Sequence, residues 1–345
     1  MSPQQKALWL TAKQGALEVG PNDIPTPGKG ELLVKIFATA LNPVDWKIQK
    51  YGVFLENFPA ILGTDSSGTV EAVGEGVVGF AKGDRVVHQG WFTNTQASFQ
   101  QYAVVPAEIV AKLPENVSFD EAASIPLGLA TAAIGLYNDD GAGLKYPWEE
   151  AGRGKYAGQS IFIVGGSSSV GQYAIQLAKL SGFSNIITTA SPAHAAFLTS
   201  LGATHFIDRN LPAPEIAAAV TANAGGRPIS VVYDAISLAG TQQTAYDVVA
   251  PGGAIVLTLP PAYKEVEGKG VRVVNVAGNV NMPPNRALGV SLYAKLESLL
   301  RDGTIKPNKV EVLPNGLAGI PDGLARMKAD KVSGLKLIAH PQETA

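Results

Sequence analysis

The 345-residue chain contains no cysteine. That absence removes disulfides, thiol nucleophiles and thiolate metal ligands together. Histidine is scarce as well: His88, His194, His205 and His340 are the only four, and no two stand at the close spacing of a sequence-local metal pair. No metal is expected. Charge is sparse, with 16% Asp, Glu, Lys and Arg and a formal net charge of −2. Without a basic excess to neutralise phosphates, nucleic acid is not an expected partner. No apolar run approaches the roughly 18 residues that span a bilayer. The opening Met1-Ser-Pro-Gln-Gln-Lys lacks the basic-then-apolar layout of a secretory signal. These absences lead us to expect a soluble cytoplasmic protein.

What is present is apolar and turn-rich: 46% hydrophobic residues, 38 glycines and 23 prolines. The length predicts two domains, and the many turns favour mixed α/β architecture over a helical bundle. The first third reads as short strands at close spacing, the pattern of a small barrel. They are Leu32-Leu-Val-Lys-Ile-Phe-Ala, Ser67-Gly-Thr-Val-Glu-Ala-Val, Arg85-Val-Val-His, Tyr102-Ala-Val-Val and Ile109-Val-Ala-Lys-Leu. From about Asp120 helices and strands alternate. Buried strands are expected at Ile161-Phe-Ile-Val, Ile186-Ile-Thr-Thr, His205-Phe-Ile, Val231-Val-Tyr-Asp and Ile255-Val-Leu-Thr-Leu, with an edge strand at 271–276. Helices over 170–180, 193–201, 214–222 and 240–249 follow the first four, which implies a parallel sheet covered on both faces. Residues 138–158 are expected to form a surface insertion rather than a core element. A helix over 286–301 and a last strand near Leu335 close the chain.

The strongest local signal is Ile161-Phe-Ile-Val-Gly-Gly-Ser-Ser-Ser-Val-Gly, a strand that turns directly into an amphipathic helix. Against the dinucleotide fingerprint, Gly166, Ser168 and Gly171 take the three glycine positions: Gly166 for the sharp turn, Gly171 for close helix packing. A helix start offers phosphates its free N–H groups and dipole. Ser167, Ser168 and Ser169 add hydroxyls. The second strand then runs into Thr188-Thr-Ala-Ser-Pro-Ala-His, with none of the carboxylate that an NAD site places there for the ribose hydroxyls. Ser191, His194 and Arg209 are candidates for a 2′-phosphate. NADPH is therefore the expected cofactor.

The order of segments resembles the medium-chain dehydrogenase/reductase superfamily over nearly the whole chain. The markers are Leu41-Asn-Pro-Val-Asp-Trp-Lys, Leu62-Gly-Thr-Asp-Ser-Ser-Gly-Thr-Val, Gly83-Asp-Arg-Val, Pro126-Leu-Gly-Leu-Ala-Thr-Ala and Leu201-Gly-Ala-Thr-His-Phe-Ile-Asp. Within it the chain is similar to the zinc-free quinone oxidoreductases and to fungal trans-acting enoyl reductases that serve polyketide synthases. Zinc alcohol dehydrogenases carry Cys where this chain has Asn42-Pro43, and Gly-His-Glu where it has Gly63-Thr64-Asp65. The resemblance implies a GroES-like β-barrel catalytic domain (1–124 and 285–345) and a doubly wound Rossmann domain (125–284). It also implies cofactor contacts at Ser167, Ser168, Ser169 and Val170, at Ala190, Ser191, Pro192 and Ala193, and at Arg209, Thr258, Leu259, Val332 and Ser333. Arg209 departs from the Tyr common at its position.

The implied activity is metal-free hydride transfer from NADPH to the activated C=C of an enal, enone or enoyl thioester. A quinone reductase and a non-catalytic NADPH-binding protein remain the alternatives. Without zinc the protein itself must hydrogen-bond the developing enolate. Lys47 and Tyr51, four residues apart, share a face if their segment is helical, and Thr131 is a further candidate contact. Asp45 reads as a turn or capping residue. Trp46, Phe54, Phe58, Trp91 and Phe92 favour an apolar or aryl substrate. Whether the chain is a monomer or a homodimer stays open.

Overall fold

The computed structural model describes residues 3–265 and 267–345. They fall into two compact units, one made of residues 3–127, 279–303 and 307–345, the other of residues 128–265, 267–278 and 304–306.

In chain order the first unit opens with β1 (Gln4–Leu10), β2 (Leu17–Asp23), β3 (Glu31–Ala40), α1 (Pro43–Tyr51) and β4 (Ala60–Ile61). It continues with β5 (Asp65–Val73), β6 (Arg85–Gln89), β7 (Tyr102–Pro106), β8 (Val110–Lys112) and α2 (Phe119–Ala123). Helix α3 (Pro126–Tyr137) begins at the junction. The second unit follows with β9 (Ser160–Val164), α4 (Ser169–Ser181), β10 (Asn185–Ala190), α5 (Ala195–Leu201) and β11 (His205–Asp208). Its remainder is α6 (Ala213–Asn223), β12 (Ile229–Asp234), α7 (Ala239–Val248), β13 (Ala254–Leu257) and β14 (Arg272–Asn275). The chain then returns to the first unit as α8 (Arg286–Arg301), β15 (Lys309–Val312), α9 (Ile320–Lys328) and β16 (Leu335–Ala339). Among the described residues no helix is long and apolar enough to cross a membrane.

The first unit is built on a seven-stranded sheet, β15-β16-β3-β5-β6-β8 with β7 also paired to β3, and a three-stranded sheet, β2-β1-β4. Strand β3 is its centre: Leu32, Val34, Ile36 and Ala38 alternate onto one face and are fully buried, and Leu33, Thr39 and Ala40 are buried as well. Gly68 of β5 lets the two backbones close up, since a Cβ there would meet the Lys35 carbonyl oxygen at 1.9 Å. One core joins the hairpin, α1, α9 and β16 through Leu8, Leu10, Ile48, Ile61, Leu324 and Leu337. The β1–β2 hairpin was not foreseen, because β2 (Leu-Glu-Val-Gly-Pro-Asn-Asp) has no fully buried residue to mark it.

In the second unit six strands run parallel in the order β11-β10-β9-β12-β13-β14, the 3-2-1-4-5-6 order of the Rossmann fold. Both faces are covered. Val232, Ile255 and Leu257 pack with Val220 of α6 and Ala245 of α7. The alternate residues Tyr233 and Val256 lie close against Gly135 of α3. The expected helices and strands are all present, with ends shifted by a residue or two.

Residues 138–158 contain no helix or strand, yet the expectation of a purely surface insertion is corrected. Trp148 is only 7% exposed. Its ring stands edge-on to Tyr137 of α3 at 5.4 Å and stacks on Tyr146 at 5.1 Å, while Tyr156 stacks on Phe183 at 5.1 Å. Aromatic surface in the loop had to be buried somewhere, and the C-terminal ends of α3 and α4 were available. Trp148→Ala is expected to cost about 3–5 kcal/mol in a denaturant titration, where a surface loop residue would cost almost nothing.

The C-terminus is fastened by His340. Its Nε2 lies 2.7 Å from Asp120 Oδ1 and its Nδ1 2.9 Å from Glu343 Oε1. Both ring nitrogens can donate only in the imidazolium form. Partial burial opposes that charge, but the bonds and charges of Asp120 and Glu343 outweigh it and raise the His340 pKa. A raised folded-state pKa contributes stability that is complete below the unfolded value, about 6.5, and is lost as pH rises through the folded value. The Tm advantage of the wild type over His340→Gln should therefore be larger near pH 6 than near pH 9. An advantage that grows with pH would contradict the charged clasp.

Candidate functional site

The dinucleotide signal sits where the second unit's topology puts it, at the carboxyl ends of the parallel strands. Strand β9 stops at Val164, and two glycines turn the chain into α4. Gly165, not Gly166, has the left-handed backbone, with φ +75°. Gly166 is needed for a different reason: a Cβ there would lie 2.2 Å from Thr188 Oγ1. The expected role of Gly166 in the sharp turn is thus corrected to Gly165, with Gly166 seating β9 against β10. Gly171 matches its expectation, since a Cβ would meet the Gly165 carbonyl oxygen at 2.3 Å.

Ser168 stands at the N-cap of α4, and its Oγ accepts the Gly171 N–H at 3.0 Å. One of the first-turn donors is thereby satisfied within the protein, and the dipole of a 13-residue helix faces the turn. Ser167, Ser168, Ser169 and Val170 are all half-buried. The cradle suits a pyrophosphate: tight glycine turn, helix start, small side chains.

The same edge gathers most of the other implied contacts. Ala190 ends β10 and is buried, Ser191 and His194 are half-buried, and Pro192 and Ala193 are exposed on a short 3₁₀ turn. Arg209 follows β11. Its N–H donates to the Ala190 carbonyl at 2.9 Å, which fixes this exposed residue beside the end of β10. Thr258 follows β13, and both its N–H (2.8 Å) and Oγ1 (3.2 Å) donate to Ser237 Oγ. The neighbouring Leu259 carbonyl accepts the Asn275 amide at 2.8 Å.

Ser237 and Asp234 are residues the sequence reading missed. Asp234 Oδ1 accepts the N–H groups of Ser237 (2.7 Å) and Ile236 (3.0 Å), and Ser237 holds φ +55°. Their turn carries the Thr258 support. Asp at a strand's end followed by a small polar residue was the available signal. Thr131 on α3 is 6% exposed, its carbonyl accepts the Tyr233 hydroxyl at 2.8 Å, and its Oγ1 lies against Gly278.

In the first unit, α1 has a complete set of end signals: Asn42 before it, Pro43 in its first turn, and Gly52 at φ +63° after it. Asp45 Oδ2 accepts the Asn42 N–H at 2.7 Å, so this carboxyl caps the helix. Its burial, offset in part by that N–H and reinforced by the Asp65 charge, pushes its pKa up to about 7. Lys47 and Tyr51 lie one turn apart on α1. Lys47 Nζ stands 5.7 Å from the Trp46 ring centroid, and partial burial lowers its pKa. Tyr51 is 54% exposed. Trp46, Phe58 and Phe92 pack on the first unit's core, Trp91 is half-buried at 5.9 Å from Phe92, and Phe54 is exposed. Val332 also packs on that core, and Ser333 is exposed just before β16.

Behind α1 lies a buried ion network that the sequence did not announce. Asp65 Oδ2 accepts from Asn42 Nδ2 at 3.0 Å and stands 3.3 Å from Lys336 Nζ. Asp65 Oδ1 accepts the Leu127 N–H at 2.8 Å, and Lys336 Nζ donates to Asn42 Oδ1 at 2.5 Å. All three side chains are at most 4% exposed.

Two family models match the chain: the alcohol dehydrogenase GroES-like domain over residues 28–115 and the zinc-binding dehydrogenase domain over residues 169–275. The trans-enoyl reductase grgB of a Penicillium species is 32% identical, with 97% of this chain and 98% of that protein aligned. The trans-enoyl reductase himH of Aspergillus japonicus is 33% identical over 96% of each. Among solved structures, a quinone oxidoreductase of Pseudomonas syringae superposes with a TM-score of 0.76 at 26% identity, covering 97% of this chain and 99% of that one. With a GroES-like domain, a parallel Rossmann sheet and full-length relatives above 30% identity, the chain belongs to the medium-chain dehydrogenase/reductase superfamily of nicotinamide-dependent oxidoreductases.

Proposed function

We propose that the protein is an NADPH-dependent reductase that passes hydride, without a metal, to the activated C=C of an α,β-unsaturated carbonyl compound. The observation that carries the cofactor choice is the end of β10. It presents Ala190 and Ser191 with no carboxylate, and the Arg209 backbone is bonded to the Ala190 carbonyl. A 2′-phosphate would find the Ser191 hydroxyl there with Arg209 next in line after β11, while the Asp208 carboxylate, paired across from Ala190, already accepts from the Asn210 backbone and side-chain amides. The full-length similarity to trans-enoyl reductases supports the acceptor class.

The nicotinamide, when bound, supplies the hydride. The protein's task is to hold the substrate's carbonyl oxygen as charge gathers on it and to let a proton reach the α-carbon. Lys47, with its proton affinity lowered by partial burial, is the donor we assign to that oxygen. Tyr51, one turn on, is the proton relay. The apolar surface of Trp46, Phe58 and Phe92 suits an apolar or aryl substrate. Quinone reduction is the second reading, favoured by the Pseudomonas syringae quinone oxidoreductase structure.

A panel of alkenals, enones, enoyl thioesters and quinones, each with NADPH and NADH, tests the proposal. Consumption of NADPH with quinones only would replace it with the second reading. Tight NADPH binding with no turnover of any acceptor would make the protein a non-catalytic binder. Lys47→Met is expected to lower kcat about 100-fold, with NADPH affinity measured by fluorescence essentially unchanged. Ser191→Asp should raise the KM for NADPH on the order of tenfold while sparing NADH.

A further inference from the structure

The alcohol dehydrogenase GroES-like domain spans residues 28–115, and the residues within it that the resemblance sets at the metal position of zinc alcohol dehydrogenases do not fit zinc. Zinc takes thiolate, imidazole and carboxylate. Asn42 offers an amide already bonded to Asp65 and Lys336. Thr64 offers a buried hydroxyl. Asp65 is the one carboxylate of the three, and both its oxygens are engaged. The nearest thing to a resident cation is the ammonium of Lys336.

We propose that the Lys336–Asp65–Asn42 network does here the organising work that a bound metal does elsewhere, with Asp65 as the positioning residue for the groups on α1. The inference rests on the reductase reading for its activity measurements, though not for its structural ones. Asp65 joins three elements far apart in the chain. Through Asn42 it holds the start of α1, five residues before Lys47. Through the Leu127 N–H it holds the first turn of α3, where the first unit's opening stretch ends. Through Lys336 it holds β16. The Lys336–Asn42 bond alone spans 294 residues of sequence. Charge-assisted bonds in a dry interior are short and directional, so α1 is held in direction and not only in packing.

A buried ion pair is poor evidence of a stabilising role, because removing both charges is commonly tolerated where removing one is not. That asymmetry separates positioning from stability. In the full-length protein, Asp65→Asn and Lys336→Met alone should each lower Tm. The double variant Asp65→Asn/Lys336→Met should recover most of it, yet keep kcat about 100-fold down with NADPH affinity within a few-fold of wild type. Hydrogen exchange should show faster exchange of the α1 amides and of the Leu127 amide in that double variant. Lys336→Arg, which keeps the charge, should retain kcat.

Recovery of kcat along with Tm in the double variant overturns the proposal, as does stoichiometric zinc in the purified wild type by elemental analysis. If the wild type turns over no acceptor, the reductase reading fails by itself. The anchor is then decided by hydrogen exchange, and unchanged protection in α1 and at Leu127 overturns it.

Discussion

A carboxylate sealed from water must find all its partners inside the protein, and Asp65 finds them in three places that only the finished fold brings together. Asn42 arrives with the turn after β3, Leu127 from the last residue before the chain leaves for the second unit, and Lys336 from the final strand. The first unit is discontinuous, so its last strand is laid down only after residues 128–278 have been passed. The network therefore closes late in sequence terms and couples both ends of the chain. Asp45 adds a second carboxyl at the same helix start, buried and inclined to hold its proton, which keeps the local negative charge near what one ammonium can balance.

The second unit follows a different logic. Its candidate contacts are local products of successive strand–turn–helix units: glycines at 165, 166 and 171, a serine cap at 168, a short turn after β10. Most are specified by their own strand–turn–helix unit, with Gly166 set by Thr188 on the adjacent strand, and the parallel sheet lines them up along one edge. Ser237 shows how neighbouring units are tied together along that edge, since one hydroxyl from the turn after β12 fixes Thr258 after β13.

This difference decides what could be read from the sequence. The Rossmann strands are continuous apolar runs, and the 286–301 helix has a clear apolar face, so period and turn chemistry were enough. The glycine turn was found, but which glycine turns and which makes room was not. Both are glycines, and only the contact with Thr188 tells them apart. The burial of Trp148 was not legible because residues 138–158 show no helix or strand period, and its partner Tyr137 lies outside that segment. The role of Asp45 as a cap was legible from Asn42-Pro43 alone. Lys336 was not legible at all: a lysine in Gly-Leu-Lys-Leu-Ile reads as an outward strand residue until its distant partners are known.

The network also bears on which acceptor suits the fold. An isolated carbonyl gathers charge on one oxygen, where a Lewis acid in direct contact helps most. A conjugated acceptor spreads the charge, so a hydrogen-bond donor aimed in advance can suffice. What such a site requires is direction, because a donor displaced by about 1 Å forfeits much of its effect. An ammonium locked between Asn42 and Asp65 is itself buried, but it holds the start of the helix that carries Lys47 and Tyr51. A cation used in this way need not be open to ligands. A side chain that arrives with the polypeptide can serve where a metal would have to be captured, and the same burial that bars it from chemistry keeps its partners fixed.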